Sequence, residues 1–596
     1  MRAVEQKDES LRIYHASGPT DQVLNLVKIA ACLGIAADLI DVSHSISPAE
    51  EIAAGLASPG GASVLDIGSL AAIITLEQWA SIADEIPASP AKVLILATAA
   101  DEPQSRIVGT LSRGNIAGIR PAGQPGAFGF AVHPLSAQLS GRHYGRSTRD
   151  TIALDIPNTS PFETIMSLSE GLSAFAYSTQ GNARLFIWST LSIFDMDRPL
   201  ERELEFEQAA DEYLPAIIFL RSAFGEHCWH NPNLDADIII DDPLLARRYG
   251  FIDFPDLLAT AKELGFHVTV AFIPWNYWRT RQSTLRAFRD HPDSFGICAH
   301  GCDHIKNEFR TSNYQDLLAR SHLAAERMDL HRQRTGMGWD PLMVCPREDY
   351  TIDAMHALAD SGHYLGMVNT GCIPRDLDSK RIRGSDLLQP VQDAFFGFPL
   401  FKRHYWSGIS VFAMAAFLGK PAILVEHHDF FQDRYRALKD FVTQLRALSP
   451  APHWSSIGDL ARHTHARRRA APGVLEVRFF TDQFVIDNPD PQPQLIKFRR
   501  RMPAATAIES ITVNGAPVPF ERAAEFLCFE SLLQANAAAC VTIRRQSVPQ
   551  RSAVSRGSAY GAGVATRRLL SEVRDNWLSR SKITLRLANR LMQTAG

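Results

Sequence analysis

The 596-residue chain has few cysteines, little net charge and no long apolar run. Its eight cysteines are scattered from Cys32 to Cys540. They are too sparse for a disulfide scaffold, so we expect a reducing compartment. The formal net charge of −4 gives no reason to expect a nucleic-acid partner. No run of about 18 uncharged apolar residues occurs, so no transmembrane span is predicted. The opening stretch, MRAVEQKDESLRIYHASG, lacks the apolar segment of a signal peptide, and we therefore expect a cytoplasmic protein.

The chain does have an ordinary globular composition, with 45% apolar and 21% charged residues. The chain is too long to fold around a single hydrophobic core, so several domains are expected. Over residues 1–204, short apolar runs alternate with helical patterns, as in RIYHAS, DQVLNLVKIAACLGI and ADLIDVS. This alternation predicts an N-terminal α/β domain with an open sheet. No chemistry is identifiable in that region, so its role stays open.

Residues 205–468 show a second alternation of strands and helices. The buried-type strands are ADIIIDDP, HVTVAFIPWN, SFGICAHG, PLMVCPRED, YLGMVNTG and AILVEHHDFF. The repeat predicts a parallel sheet that can close into a (β/α) barrel. Residues 469–546 change to short strand-like runs with an NGAP turn, which predicts a small all-β domain of the sandwich type. Residues 547–596 comprise a Ser/Gly-rich linker and a basic amphipathic helix.

Polar residues follow four of the strands predicted within 205–468. They are Asp241–Asp242, His300 with His304, Arg347 with Glu348, and His427–His428 before Asp429. The carboxyl ends of parallel strands meet at one edge of a sheet, and β/α folds build their active sites there. We therefore expect these clusters to form a single site.

The stretch CAHGCDH at 298–304 is open to more than one interpretation. The spacing of His300 and His304 places both imidazoles on one face of a helical turn, which suits two ligands of one zinc ion. A carboxylate from a distant strand would complete three protein ligands. One alternative is a redox pair of Cys298 and Cys302, although thiol oxidoreductases use a C-x2-C spacing. The other is a pair of unrelated histidines, with Cys298 packed in the core.

The pair Asp241–Asp242 also allows several interpretations. It could be a cap or turn before Pro243. It could be the carboxylate pair of a glycoside hydrolase, but adjacent residues at a strand end point in different directions. The same divergence suits two separate tasks, in which one aspartate binds a metal and the other accepts a proton.

The order of these motifs resembles the polysaccharide deacetylase family (the NodB homology domain, carbohydrate esterase family 4) over roughly residues 235–435. The resemblance implies a deformed (β/α) barrel and a divalent metal, most often zinc. It implies that Asp242, His300 and His304 bind the metal and that Asp241 is the general base. The implied activity is a metal-dependent hydrolase that removes N-acetyl or related acyl groups from a carbohydrate.

The expected chemistry gives further roles to His427, His428, Arg347, Trp275 and Trp406. One histidine of the late pair would protonate the departing amine. His428 precedes an aspartate, as the late histidine of the family often does, and is favoured over His427. Arg347 would orient Asp241. The two tryptophans could stack on a sugar ring, with core packing as the alternative.

The sequence departs from the family pattern in several places: the Arg motif is CPRED and not the familiar Arg-x-Pro form, and no Asp-Trp motif is identified. Gly301 stands where Ser or Thr is usual, and Pro243 stands where Gly is frequent. Two other functions therefore remain open. One is a non-catalytic carbohydrate-binding or scaffold protein with a degenerate barrel, and the other is a hydrolase of small amides.

The last predicted segment, TRRLLSEVRDNWLSRSKITLRLANRLMQ, is basic and amphipathic. Leu570, Val573 and Trp577 recur at helical spacing, and Leu587 and Leu591 repeat the pattern. Such a helix can lie on an anionic membrane surface, which would give a peripheral membrane or export-complex association. Alternatively, it docks its apolar stripe on the protein's own domains.

Overall fold

A computed structural model describes residues 10–58, 61–311, 313–376, 382–448, 450–548 and 557–580. The α-helices are α1 (Asp21–Cys32), α2 (Pro48–Ala57), α3 (Ile67–Leu70), α4 (Leu76–Glu85), α5 (Glu102–Leu111), α6 (Glu203–Glu207), α7 (Leu214–Phe224), α8 (Phe254–Leu264), α9 (Gln282–Arg289), α10 (Tyr314–Thr335), α11 (Ile352–Ser361), α12 (Gly384–Leu387), α13 (Ile409–Phe417), α14 (Arg436–Arg446), α15 (Ile457–His463) and α16 (Ser558–Asn576).

Within these described ranges, the strands fall into five sheets. They are β1 (Leu11–His15), β2 (Ala37–Asp41), β3 (Ala62–Asp66), β4 (Lys92–Ala97), β5 (Gly118–Gly123), β6 (Ala127–Phe130), β7 (His143–Gly145), β8 (Thr151–Asp155), β9 (Glu163–Leu168), β10 (Leu172–Gln180), β11 (Ala183–Ser189), β12 (Asp235–Asp241), β13 (Arg248–Tyr249), β14 (Ile252–Asp253), β15 (Val268–Phe272), β16 (Phe295–His300), β17 (Asp340–Val344), β18 (Gly366–Asn369), β19 (Leu400–Lys402), β20 (Ala422–Glu426), β21 (His453–Trp454), β22 (His465–Ala471), β23 (Val474–Phe479), β24 (Gln483–Asp487), β25 (Gln494–Arg501), β26 (Ile508–Val513), β27 (Ala516–Pro517), β28 (Glu521–Ala523), β29 (Phe526–Leu533) and β30 (Ala538–Arg545).

The chain forms two compact units, Met1–His230 with Ser379–Leu388, and Asn231–Asp378 with Gln389–Gly596. The first unit contains an 11-stranded sheet. Its strands β2, β1, β3, β4 and β11 run parallel in that order, as the predicted open α/β sheet requires. Beyond β11 the sheet continues with antiparallel strands, which the sequence did not predict. The predicted domain boundaries at 204/205, 468/469 and 546/547 stay predictions.

The second unit contains the parallel sheet in which the polar clusters were expected. Its strand order is β19-β18-β17-β16-β15-β12-β20, with β21 beside β12. The sheet is curled, and a parallel bridge between His404 and Leu424 links the chain after β19 to β20. Apolar side chains from six of these strands share one buried core, to which β16 adds Cys298. The predicted α/β fold with a parallel sheet is therefore confirmed, while its closure into a deformed (β/α) barrel stays a prediction.

The helices that connect the strands of this sheet begin and end at residues that cap them. The Asp253 side chain accepts a hydrogen bond from the backbone N–H of Asp256 at the start of α8, which ends at the left-handed Gly265. Asn313 caps α10 in the same way, and Gly336 ends it. Capping satisfies backbone groups that lack partners within the helix. The helices that return the chain to the start of each strand are thus fixed by local sequence.

The C-terminal β region is built from two sheets, β22-β23-β25-β29-β28 and β24-β30-β26-β27. Both sheets contribute to one buried apolar core, for example Phe479 and Phe498 from one sheet and Phe484 and Val541 from the other. Alternate residues point into this core, as expected of strands with one solvated face. The region thus consists of two sheets packed on one core, and the separate sandwich-type domain expected at residues 469–546 stays a prediction.

Candidate functional site

Asp242, His300 and His304 lie together at the carboxyl edge of the curled sheet. Asp242 follows β12, His300 ends β16, and β15 separates these strands. The Oδ1 atom of Asp242 lies 3.5 Å from Nε2 of His300 and 3.0 Å from Nε2 of His304. One potential ligand atom from each residue lies within 4.8 Å of the others. The predicted metal ligands are therefore close enough to share one ion.

Two of the three residues adopt backbone conformations that are uncommon outside glycine. Asp242 has a φ of 80° and His304 a φ of 54°. Such conformations cost free energy and persist where the surrounding structure requires them, which is common at functional sites. The turn at Asp242 comes directly after β12, so the alternating direction of the side chains along that strand ends there.

The electrostatics of the cluster suit a cation. Burial lowers the pKa of His304 to about 3, so its imidazole is neutral at neutral pH, the form that binds metals. Burial alone would raise the pKa of Asp242. Nearby basic groups, chiefly His304, His300 and Arg568, outweigh burial and hold this pKa well below its usual range. The buried Oδ1 of Asp242 also accepts no hydrogen bond from the described residues. One carboxylate oxygen and two imidazole nitrogens form a donor set that zinc accepts.

The loop that carries His304 is fixed by the buried carboxylate of Glu308. Its Oε2 accepts hydrogen bonds from the backbone N–H groups of Cys302 and His304, at 3.1 and 3.0 Å. Its Oε1 accepts from the backbone N–H of Asp303, at 2.7 Å. One side chain thus holds three consecutive peptide groups, and it sets the position of His304 relative to His300.

Cys302, Asp303 and Glu308 form a second group of potential metal ligands, but hydrogen-bond donors already use its carboxylates. Asp303 accepts from the Arg327 guanidinium at 2.5 Å and from the Tyr560 hydroxyl at 2.6 Å. The oxygens of Glu308 are held by the loop. This group therefore supports the His300–His304 turn.

Asp241 is buried and is paired with an arginine that the sequence analysis did not identify. Nη1 and Nη2 of Arg403 donate to the two carboxylate oxygens at 2.7 and 2.8 Å. Burial opposes ionisation of Asp241, but the charge and hydrogen bonds of Arg403 outweigh it, so the pKa of Asp241 is lowered. The role expected for Arg347 is thus filled by Arg403, and Arg347 is exposed. Arg347 lies in a turn after β17.

The two late histidines have different surroundings. His427 is one of the basic groups that lower the pKa of both aspartates, and its ring lies parallel to that of Tyr405, with 6.2 Å between the ring centroids. His428 instead places Nε2 3.3 Å from a carboxylate oxygen of Asp575 and stacks on Phe251. His427 is therefore the better placed of the two to act beside Asp241, whereas the sequence analysis favoured His428.

The two candidate tryptophans also have different surroundings. The backbone N–H of Trp275 donates to the carbonyl of Cys302 at 3.0 Å, which places Trp275 beside the His300–His304 turn. Trp406 is half-buried and packs on Phe412 and Phe441, with ring centroids 6.3 and 5.5 Å away. For Trp406 the contacts are those of core packing.

Arg403, Glu308 and Tyr405 are site residues that the sequence analysis missed. Arg403 and Tyr405 follow β19, whose run of only three residues was not predicted as a strand. Recognising the apolar run in FGFPLFKRHY as a strand would have placed both at the same edge. Glu308 has no comparable signal, because its role depends on the path of the loop.

The predicted C-terminal helix is present as α16, but its orientation differs from expectation. Its buried residues are Val564, Arg568, Ser571 and Asp575. Leu569, Leu570, Val573 and Trp577 are 40 to 75% exposed. The expectation that the apolar stripe docks on the protein is therefore wrong, because a mostly polar face does so. Leu587 and Leu591 lie outside the described residues. No helix within the described ranges is long and apolar enough to cross a membrane.

Comparisons with known proteins gave similarity only at the level of solved structures. No family model matches the chain, and no curated protein is significantly similar. The structure of Agd3, described as a novel carbohydrate deacetylase, is similar with a TM-score of 0.44 and 11% identity, covering 90% of this chain and 99% of that one. A putative polysaccharide deacetylase from Mycobacterium smegmatis gives a TM-score of 0.28 and 14% identity, over 39% of this chain and 91% of that one. A family 4 carbohydrate esterase from Bacillus anthracis gives 0.25 and 16%, over 38% and 82%. These TM-scores are all below 0.5, so the functional assignment depends on the site itself.

Proposed function

We propose that this protein is a metal-dependent hydrolase that removes an acetyl or related acyl group from the nitrogen of an amino sugar. The observation that carries the proposal is the adjacency of two differently equipped aspartates. Asp242 shares a potential metal site with His300 and His304, while Asp241 is held by Arg403. Three protein ligands are typical of catalytic zinc sites, which leave a position open. When bound, the ion would supply Lewis-acid activation of water and of the acyl carbonyl.

Asp241 is proposed as the general base. Its lowered pKa keeps the carboxylate ionised and able to accept a proton at neutral pH. Each carboxylate oxygen has two acceptor sites, and Arg403 occupies one site on each oxygen. A free site therefore remains for the proton of an attacking water, and the two-point contact with Arg403 fixes the direction in which it points.

His427 is proposed as the general acid that protonates the departing amine. It contributes to the lowered pKa values of both aspartates, and Tyr405 flanks its ring. His428 is engaged with Asp575, so we assign it to holding the surrounding loops. Trp275, beside the His300–His304 turn, is the better of the two tryptophans for contact with a sugar ring.

The proposal is tested by metal content and acetate release measured together. The purified protein is expected to bind one equivalent of zinc and to release acetate from N-acetylated oligosaccharides. The double variant His300→Ala/His304→Ala should lose both properties, whereas His44→Ala, at an exposed histidine of the first unit, should lose neither. A full equivalent of zinc in the double variant would reject the site. Zinc binding without acetate release from any N-acyl substrate would instead favour the non-catalytic alternative.

A further inference from the structure

Helix α16 crosses the candidate site from one side to the other. Near its start, the Tyr560 hydroxyl donates to Asp303 at 2.6 Å. In its middle, Nη2 of Arg568 lies 3.3 Å from Nδ1 of His304. At its end, Asp575 accepts a hydrogen bond from the Tyr249 hydroxyl at 2.7 Å. The 19 residues of the helix span about 28 Å at 1.5 Å per residue, which is enough to pass over the ends of several neighbouring strands.

The groups that α16 contacts follow four different strands of the curled sheet. Gly250 follows β12, Arg279 follows β15, His304 follows β16 and His428 follows β20. The backbone N–H of Gly250 donates to the side chain of Asn576 at 2.8 Å. The helix is therefore held on all the loops that carry the proposed metal ligands and the late histidines.

These contacts are polar and specific in geometry. The Arg279 guanidinium donates to both carboxylate oxygens of Glu572, at 2.5 and 2.8 Å. Arg568 is buried, and its Nε has no hydrogen-bond partner among the described residues. A two-point contact such as that between Arg279 and Glu572 fixes the register of a helix more closely than apolar packing does. The helix thus forms a definite boundary of the site.

We infer that α16 makes this a closed site, which accepts a small N-acyl sugar or the end of a glycan chain and excludes the interior of a polymer. This inference rests on the proposed function. A polymer that places an interior residue at Asp242 must continue across the carboxyl edge in both directions. Through Arg568, α16 contacts His304 at Nδ1, so on that side of the site the helix stands where one such path would continue. A monosaccharide or a chain end needs only one approach, so the helix selects substrates by length.

The first experiment reads product positions. N-acetylglucosamine oligomers of one, two and six residues are incubated with the zinc-loaded protein, and acetyl loss is mapped by mass spectrometry. The wild type is expected to process the short compounds and to remove only a terminal acetyl group from the hexamer. Glu572→Lys, which places two cations together at Arg279, should begin to remove interior acetyl groups. Interior deacetylation by the wild type would overturn the inference.

The second experiment does not depend on activity. The rate at which EDTA removes zinc is measured for the wild type, Glu572→Lys and the isosteric Glu572→Gln, which guards against a folding defect in the lysine variant. Release should be at least about tenfold faster in the lysine variant and intermediate in the glutamine variant. Ala565→Lys, at an exposed position of the same helix, is the matched control and should behave as the wild type does.

The two experiments separate the inference from the proposed function. Equal zinc-release rates in all four proteins would show that α16 does not cover the metal and would overturn the inference. If no oligomer loses acetate with any protein, the proposed function fails and the substrate inference fails with it, even if the release rates differ. Faster release together with interior deacetylation in Glu572→Lys supports both.

Discussion

Replacing Glu308 by alanine should damage both folding and metal binding, although Glu308 is not a proposed ligand. Its carboxylate accepts three backbone N–H groups, from Cys302, Asp303 and His304, and it is almost fully buried. The alanine variant leaves these three donors without their acceptor in a region with little access to water. Because His304 belongs to the same loop, its position relative to Asp242 should change as well.

The size of the effect follows from two opposing contributions. Hydrogen bonds to a charged acceptor contribute roughly 1.5–3 kcal/mol each, which sets an upper bound of several kcal/mol for three. Burying the charge works in the other direction, and burial raises the pKa of Glu308 despite these bonds. We therefore expect Glu308→Ala to lower the free energy of unfolding by about 3 kcal/mol. Glu308→Gln keeps one acceptor oxygen and should lose roughly half as much.

Urea unfolding gives the stability change, and calorimetric titration gives the zinc dissociation constant. Displacement of one ligand should weaken zinc binding at least tenfold, which corresponds to about 1.4 kcal/mol. Glu326→Ala is the matched control, because Glu326 is an exposed residue on α10; its effect should stay within about 0.5 kcal/mol. If Glu308→Ala unfolds like this control and keeps wild-type zinc affinity, the loop does not depend on Glu308 and the reasoning is wrong.

Three further predictions test the proposed roles and the electrostatics of the sheet. Asp241→Asn should abolish acetate release but retain zinc, and loss of zinc would mean that the roles of the two aspartates are exchanged. Arg403→Met leaves the Asp241 carboxylate buried without its partner. The Arg403→Met variant should lower the free energy of unfolding, measured in urea, by about 3–5 kcal/mol. The pKa of Asp241 should rise, which should move the acid limb of the pH–rate profile to higher pH. Burial raises the pKa of Asp340 from 3.8 to about 6, so ionisation costs folded-state stability as pH rises through that window. Relative to Asp340→Asn, which keeps an acceptor, the wild type should lose about 2.5 kcal/mol between pH 4 and pH 7.

The curled sheet was predictable because its strands are buried on both faces. β12 and β16 each contain a buried apolar run in the sequence, and each ends where a polar cluster begins. β19 escaped prediction because its three residues are too short a run to separate from a buried loop. Because Arg403 follows β19 directly, the partner of Asp241 was not predicted either.

The proposed ligands could be predicted for a related reason. A strand end fixes where Asp242 and His300 lie to within the geometry of a parallel sheet, and four residues of sequence separation limit where His304 can be. Arg347 failed as a partner of Asp241 although it also follows a strand. Which of several arginines at one edge reaches a given carboxylate depends on side-chain packing across the sheet, and a single sequence contains no record of that packing.

The orientation of α16 could not be predicted from the sequence for a different reason. A helical pattern shows that Leu570, Val573 and Trp577 share one side, but the side that meets the protein depends on the surface it meets. A helix over a core buries its apolar side, whereas α16 lies over an edge lined by Arg279, His304 and other polar groups. Its matching polar residues therefore turn inward, because ion pairs formed there replace contacts with water. The apolar side is left exposed, so the association with a membrane or partner expected through this helix remains a prediction. It does not compete with closure of the site, since the two would use opposite faces of the helix.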